Sequence, residues 1–179
     1  MKTETDDVSQ ILRAVSFAAL KHRNQRRKDV EATPYINHPI ALATVLAEEG
    51  AVGDVAVLAA AILHDTIEDT ETTADELREL FGEEITAIVL EVTDDKGLPK
   101  AERKRLQIEH AAIASHSAKL VKLADKICNL RDIAASPPAD WSIDRKREYF
   151  DWAAKVVAGC RGSSSKLEAA FDKAMGARD

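Results

Sequence analysis

The 179-residue sequence is poor in aromatic residues and cysteines, and it contains no long apolar run. Aromatic residues account for 4% of the chain, with 7 glycines and 5 prolines, and this balance favours helix over sheet. Two cysteines, Cys128 and Cys160, are too few for a disulfide framework, so we expect a reducing, cytoplasmic environment. Because a membrane-spanning helix needs about 20 apolar residues, we expect no membrane partner.

The net charge of the chain indicates which kinds of binding partner it can have. The net charge of −6 argues against general nucleic-acid binding, which needs a basic surface, and we expect no nucleic-acid partner. The stretch from Met1 to Gln10 is polar and acidic, unlike a signal peptide. A local basic patch would still suit a small phosphorylated ligand, so the composition is compatible with a nucleotide substrate.

Helical periodicity extends along almost the whole chain. The first predicted helix places a set of apolar residues on one face: Val8, Ile11, Leu12, Val15 and Ala19. Thr73 followed by Glu76 predicts the start of a later helix, and Gly82 predicts its end. We expect one all-α domain over residues 1–179, a bundle of roughly eight to ten helices.

The most informative segment is the predicted central helix, Asp54 to Leu63, and the polar residues that follow it. This helix is apolar on every side and therefore belongs inside the domain. It ends in His64 and Asp65, with Glu68 and Asp69 close behind. Carboxylates are rarely buried unless they are paired or bound to metal. The segment therefore predicts a metal site with acid–base groups beside it.

Two distant residues are candidates for the remaining metal ligands. His38 lies in a rigid connector before Pro39, and Asp125 lies in an otherwise apolar helix. Two imidazoles and two carboxylates suit a divalent ion such as Mn²⁺, Fe²⁺ or Zn²⁺ with positions open to water. Alternatively, His38 caps a helix and Asp125 pairs with Lys122 or Lys126. The ordered set His…His-Asp…Asp favours the metal interpretation.

Helical spacing separates the catalytic candidates from the ligands. Glu68 lies one turn after His64, and Asp69 lies one turn after Asp65. A carboxylate at such a position can act as general base on a water molecule whose pKa the metal lowers. Asn129 lies one turn after Asp125, so we expect it to face the same cavity.

Several motifs resemble a known family, the HD-domain metallohydrolases, and within it the hydrolase domain of RelA/SpoT homologues. The similar segments are Arg27-Lys28, Pro34–Pro39, Leu63–Thr70, Phe81-Gly82, Glu91–Lys96 and Val121–Arg131. The Thr-Asp-Asp-Lys stretch at residues 93–96 and the segment 148–154 are similar to the stand-alone members, which also occur in animals. The resemblance covers about Ile11 to Ala170. It implies an HD-domain helical bundle that removes the 3′-pyrophosphate from the alarmone (p)ppGpp, giving GDP or GTP and pyrophosphate.

The resemblance also implies roles for individual residues. The implied ligands of one Mn²⁺ ion are His38, His64, Asp65 and Asp125. The residues implied to activate or position the attacking water are Glu68 and Asp69. The implied nucleotide contacts are Arg27, Lys28 and Asn129, with Lys96 and Tyr149 as further candidates. Helical spacing also allows Tyr149 to be a core residue that contacts Trp152.

Other functions remain open at the level of the sequence. The same chemistry would serve a broader nucleotide phosphohydrolase, such as an NADPH 2′-phosphatase. A degenerate, nucleotide-sensing HD module would have lost a ligand or an acid–base residue, whereas this chain keeps them all. A second metal ion at His22, His110 or His116 is disfavoured because no carboxylate motif adjoins these residues. The sequence leaves the oligomeric state open.

Overall fold

A computed structural model describes residues 4–178 of the chain. Its helices, numbered in chain order, are α1 (Glu4–Lys21), α2 (Asn37–Thr44), α3 (Val55–Leu63), α4 (Thr66–Asp69), α5 (Ala74–Phe81), α6 (Glu83–Val92), α7 (Lys100–Ile113), α8 (His116–Ala135), α9 (Ile143–Ala158) and α10 (Ser165–Met175). A π-helical turn, Val45–Glu49, prolongs α2. Within the described range the other regular feature is an isolated β-bridge between Arg26 and Pro34. The predicted all-α class is confirmed.

Local capping explains where several of these helices begin and end. The Asp54 side chain accepts hydrogen bonds from the backbone N–H groups of Ala56 and Val57 at the start of α3. Thr73 accepts from Glu76 N at 3.2 Å, as its position in the sequence predicts. Gly82 ends α5 with φ +86°, a conformation that favours glycine.

Helix α3 lies at the centre of the bundle. It contacts α1, α2, α6 and α8, and the stretch from Ala59 to Leu63 is buried. Large side chains from the outer helices complete the core, including Phe150 on α9 and Phe171 on α10, each 1% exposed. The apolar character of α3 on every side is therefore explained by neighbours on every side.

The inward face of α1 is predicted correctly for Ile11 and Val15, which pack against the core, and wrongly for Val8 and Leu12. Val8 and Leu12 are 60% and 62% exposed, whereas Ala14 and Ala18 are fully buried. Small alanine side chains allow α1 to lie close against α3, and this close packing rotates Val8 and Leu12 out towards solvent. Within the described part of the chain, none of the helices combines the length and hydropathy that a membrane span requires.

Candidate active site

The candidate active site begins at the break between α3 and α4. His64 directly follows α3, and Asp65 leaves helical geometry with φ −101° and ψ 2°. Thr66 stabilises the break because its hydroxyl donates to the Leu63 carbonyl oxygen at 2.7 Å. The break places His64 and Asp65 at the end of the buried helix, with His64 Nε2 2.8 Å from Asp65 Oδ2.

His38 and Asp125 reach the same point from α2 and α8. His38 Nε2 lies 3.2 Å from Asp125 Oδ1, although 87 positions separate these residues in the chain. His64 Nε2 lies 4.0 Å from the same Asp125 oxygen. One ligand atom each from His38, His64 and Asp65 all lie within 4.8 Å of one another. The structure thus brings together the residues that the sequence proposes as metal ligands.

The protonation of His64 fits a metal ligand. Its Nδ1 donates to the carbonyl oxygen of Ala61 at 2.7 Å, because a carbonyl oxygen can only accept. Its Nε2 is buried and faces the carboxylates of Asp65 and Asp125, at 2.8 Å and 4.0 Å, without meeting the geometry of a hydrogen bond. A divalent cation would satisfy this nitrogen and the facing carboxylates, so the donor set fits such an ion.

Charges within this cluster control its ionisation. Burial opposes the charge on His64, but Asp65 and Asp125 raise its pKa to about 9. Burial likewise opposes ionisation of Asp65, yet the neighbouring His64 and His38 lower the pKa of that carboxyl group below its usual range. In Asp125, burial is outweighed by Lys126 and His38, and the pKa again falls well below the usual value. A cluster that stabilises one positive charge among carboxylates is electrostatically suited to a cation.

Tyr35 holds Asp65 from the other side. Its hydroxyl group donates a hydrogen bond to Asp65 Oδ2. Burial and the Asp65 charge raise the pKa of Tyr35 far above its usual value, so the hydroxyl keeps its proton. The Tyr35 ring also contacts the His38 ring, with 5.9 Å between centroids. Tyr35 therefore orients one candidate ligand and packs against another.

Glu68 lies beside this cluster but makes different contacts. Its Oε2 accepts from Asp94 N at 3.1 Å, and its Oε1 lies 3.9 Å from Arg103 Nη1. Burial, reinforced by the charges of Asp65 and Asp94, raises the pKa of Glu68 to about 7. A carboxyl group with this pKa can accept and release a proton near neutral pH.

Asp69 is held at both carboxylate oxygens. Gln25 Nε2 donates to Asp69 Oδ2 at 2.8 Å, and Lys96 forms an ion pair with Oδ1. Lys96, one of the predicted nucleotide contacts, is half exposed and lies on the loop between α6 and α7. Lys96 is therefore paired with Asp69, one of the two predicted catalytic residues.

Asn129 connects the candidate metal ligands to Arg27. Its Nδ2 donates to Asp125 Oδ1 at 2.7 Å, and its Oδ1 accepts from Arg27 Nη2 at 3.2 Å. Arg27 also pairs with Asp132 at 2.6 Å. Asn129 lies one helical turn after Asp125 on α8 and therefore faces the cavity, as expected.

These residues lie in a cleft made of two adjoining cavities. The first has a volume of about 490 Å³ and contains the His/Asp cluster, Glu68 and Asp69. The second, of about 710 Å³, extends past Asn129 towards Asp132 and Pro138. The predicted nucleotide contacts Arg27, Lys28, Asn129 and Tyr149 line both cavities, and Lys96 lines the second. The cleft is large enough for a nucleotide.

Sequence reasoning named Lys122 and Lys126 only as possible partners of Asp125, and it did not predict that six basic residues besides Arg27 and Lys28 line the first cavity. These are Lys100, Arg103, Lys104, Lys122, Lys126 and Arg145. Lys126 is 5% exposed and pairs with Asp125 at 2.9 Å, while its Nζ lies 4.4 Å from the centre of the Trp152 ring. Three of the six, Lys100, Arg103 and Lys104, lie on α7, and the signal available in the sequence was the charged character of this helix, which resembles a solvent-exposed face. The fold instead turns part of that face towards the acidic cluster.

Tyr149 packs against two tryptophans and also lines the cleft. Its ring lies 5.2 Å from Trp152 and 5.8 Å from Trp141, centroid to centroid. The contact with Trp152 is the one that helical spacing predicts. Burial raises the pKa of Tyr149 to about 12, so it remains a neutral hydrogen-bonding group at the cavity wall.

The helical fold and the His, His-Asp, Asp cluster at the end of a buried helix define the HD-domain class. The chain belongs to this family, whose model, described as HD domain, matches residues 14–151. A Homo sapiens relative named guanosine-3′,5′-bis(diphosphate) 3′-pyrophosphohydrolase MESH1 is 57% identical over 165 residues, covering 92% of each chain. A Danio rerio relative of the same name is 58% identical over 158 residues and 88% of each chain.

A solved structure is similar over nearly the same range. It carries the description "A metazoan ortholog of SpoT hydrolyzes ppGpp and plays a role in starvation responses". Its TM-score is 0.90 at 48% identity, with 93% of each chain covered. The family and fold expected from the sequence motifs are confirmed.

Proposed function

We propose that this protein is an enzyme that hydrolyses the 3′-pyrophosphate of ppGpp and pppGpp. The observation that carries the proposal is the cluster of His38, His64, Asp65 and Asp125 at the floor of a cleft with basic walls. The names of relatives that are 57–58% identical support the same reaction and substrate. The products would be GDP or GTP and pyrophosphate.

We assign the metal site to the four residues of this cluster, and we propose one Mn²⁺ ion as its occupant. Mixed nitrogen and oxygen ligands suit Mn²⁺, and the buried Nε2 of His64, which faces the carboxylates of Asp65 and Asp125, supports a ligand at this position. When bound, a divalent ion supplies Lewis-acid catalysis, because it polarises a phosphoryl oxygen and lowers the pKa of water.

Glu68 is the proposed general base. Its raised pKa and its position beside Asp65 suit a group that takes a proton from the attacking water. The water oxygen joins phosphorus, the bond from phosphorus to the 3′-oxygen breaks, and that oxygen leaves with a proton. Asp69, fixed by Gln25 and Lys96, is proposed to position the water.

The basic wall of the first cavity is proposed to bind the pyrophosphate group. Lys126 and Lys122 are buried there, so their charges act with little screening by solvent. The second cavity would then receive the nucleoside. Its boundary with the first includes Arg27, whose guanidinium group can stack on a base. Lys28, Asn129 and Tyr149 at the same boundary are proposed substrate contacts.

A substrate comparison with purified protein and added Mn²⁺ tests the proposal. The value of kcat/KM would be measured for ppGpp, pppGpp, NADPH and GTP, with released pyrophosphate and phosphate assayed separately. We expect ppGpp and pppGpp to be preferred and pyrophosphate to be released from both. Release of phosphate from NADPH with a kcat/KM at least about tenfold above that for ppGpp would refute the proposed substrate.

A matched pair of variants connects the activity to this cleft. Asp65→Asn removes a charged candidate ligand, whereas Asp75→Asn makes the same change on an exposed residue of α5. We expect the first to lose hydrolysis and Mn²⁺ binding together and the second to keep both. Hydrolysis that survives Asp65→Asn would place the reaction elsewhere.

A further inference from the structure

A hydrogen-bonded chain leads from the end of α1 to Asp69, and the proposed chemistry leaves its first two members without a role. His22 Nδ1 and Gln25 Oε1 lie 2.6 Å apart. Gln25 Nε2 in turn donates to Asp69 Oδ2 at 2.8 Å. The backbone of Gln25 is fixed as well, because its N–H donates to the His22 carbonyl and its own carbonyl accepts from Tyr35 N. His22, Gln25 and Asp69 therefore form one continuous unit.

The chemistry of the groups assigns the direction of each hydrogen bond. An ionised carboxylate can only accept, so the amide nitrogen of Gln25 faces Asp69 and its amide oxygen faces His22. That oxygen can only accept, so Nδ1 of His22 carries the proton. With Nδ1 protonated, neutral His22 keeps a lone pair on Nε2. The chain thus requires a proton on Nδ1 of His22.

The burial of His22 argues against a role in the fold alone. The residue is 2% exposed, and its Nε2 is buried with no hydrogen-bond partner among residues 4–178. An apolar side chain at this position would pack against Tyr35, whose ring is 4.9 Å from the imidazole, without leaving a polar atom unpaired. The gain that offsets this cost is the single hydrogen bond to Gln25.

We infer that Gln25 is a positioning residue for Asp69 and that His22 keeps the Gln25 amide in the required orientation. This inference rests on the proposed hydrolysis, in which Asp69 positions the attacking water. Lys96 holds the other oxygen of Asp69 from a half-exposed loop. Gln25 supplies the second fixed contact from the body of the fold, so the two together set the plane of the carboxylate.

Kinetics of Gln25→Leu test the role of the amide. We expect kcat for ppGpp to fall about tenfold or more while KM changes less than about threefold. Mn²⁺ affinity should stay within about twofold of the wild type, because the candidate ligands are untouched. Gln10→Leu makes the same chemical change on α1, outside the cleft, and is the control that should leave kcat and KM unchanged. An increase in KM at constant kcat would show direct contact of Gln25 with substrate and would overturn the inference.

A double-mutant cycle shows whether Gln25 acts through Asp69. In an Asp69→Ala background, which removes both acceptor oxygens, Gln25→Leu should change kcat by less than about twofold. For His22, Asn places an amide N–H near the position of Nδ1, whereas Leu offers no donor. We therefore expect His22→Asn to retain at least about threefold more activity than His22→Leu. A full Gln25→Leu effect without Asp69, or equal activities of the two His22 variants, would contradict the chain.

Nitrogen-15 NMR of labelled histidines provides a readout that does not depend on activity. The His22 signal, assigned by its loss in His22→Asn, should report a proton on Nδ1 in the wild type and should change in Gln25→Leu. The Nε2–H tautomer would overturn the inference even in an active enzyme. Conversely, a wild type that hydrolyses no ppGpp but shows the expected proton on Nδ1 would refute the proposed function and leave the hydrogen-bonded chain intact.

Discussion

Replacing Glu68 with Gln changes both the stability and the chemistry of the site, in opposite directions. Burial raises the pKa of Glu68 from 4.5 to about 7 in the metal-free fold. A tenfold change in an acid equilibrium corresponds to about 1.4 kcal/mol, so ionised Glu68 costs the fold at most about 3 kcal/mol. The side chain is 16% exposed, and solvent screening reduces this cost to about 1–2 kcal/mol.

The sign of the effect follows from the direction of the pKa change. A carboxyl group with a raised folded pKa costs nothing below pH 4.5, and its cost is complete above pH 7. Gln is neutral at every pH, and its oxygen can still accept from Asp94 N. We therefore expect Glu68→Gln to raise the free energy of unfolding of the metal-free protein by about 1–2 kcal/mol at pH 8 and by almost nothing at pH 4.5.

Urea unfolding with a chelator at these two pH values measures the stability, and Glu79→Gln, an exposed change on α5, is the control. The same variant should bind Mn²⁺ and lose about 10²- to 10⁴-fold in kcat, since a general base contributes that much. Equal stabilisation at both pH values would refute the burial argument. Turnover that matches the wild type would refute the assignment of Glu68 as base.

Three further variants and a pH profile test other parts of the site. His64→Ala should abolish Mn²⁺ binding, measured by calorimetry, together with activity, because it removes the buried nitrogen that faces Asp65 and Asp125. Lys126→Met should destabilise the metal-free protein by about 3 kcal/mol in urea unfolding, because Asp125 loses its buried partner, and Mn²⁺ should restore part of the loss. Arg27→Ala should raise KM for ppGpp about tenfold in steady-state assays, with kcat within about threefold. In the wild type, kcat/KM should fall with decreasing pH at an apparent pKa between 4.5 and about 7, since a bound cation lowers the pKa of Glu68.

Local information in the sequence accounts for the helical class and for the identity of the candidate metal cluster. The period of apolar residues predicts helices, and the caps at Thr73 and Gly82 depend on neighbours within a few residues. The junction at His64 and Asp65 is recognisable because polar groups end a helix that is apolar on every side. One helical turn relates Asp125 to Asn129, and the structure places both at the cleft.

Other features of the structure could not be predicted from the sequence, because they depend on which helix faces pack against one another. The periodicity of α1 indicates an apolar stripe but not its rotation, and the close packing of Ala14 and Ala18 leaves Leu12 exposed. The basic side chains of α7 look like a solvent face until the fold turns some of them towards the acidic cluster.

The sequence by itself determined the helices and the family, because helical periodicity and the motifs of the family each lie in residues close together in the chain. The tertiary structure alone decided that His38 and Asp125 meet across 87 positions, and that Gln25 reaches Asp69. The physical reason is that helix periodicity describes one element at a time, whereas the partners of a polar group depend on the packing of several elements. The His64-Asp65 pair becomes a candidate metal site only where those elements converge.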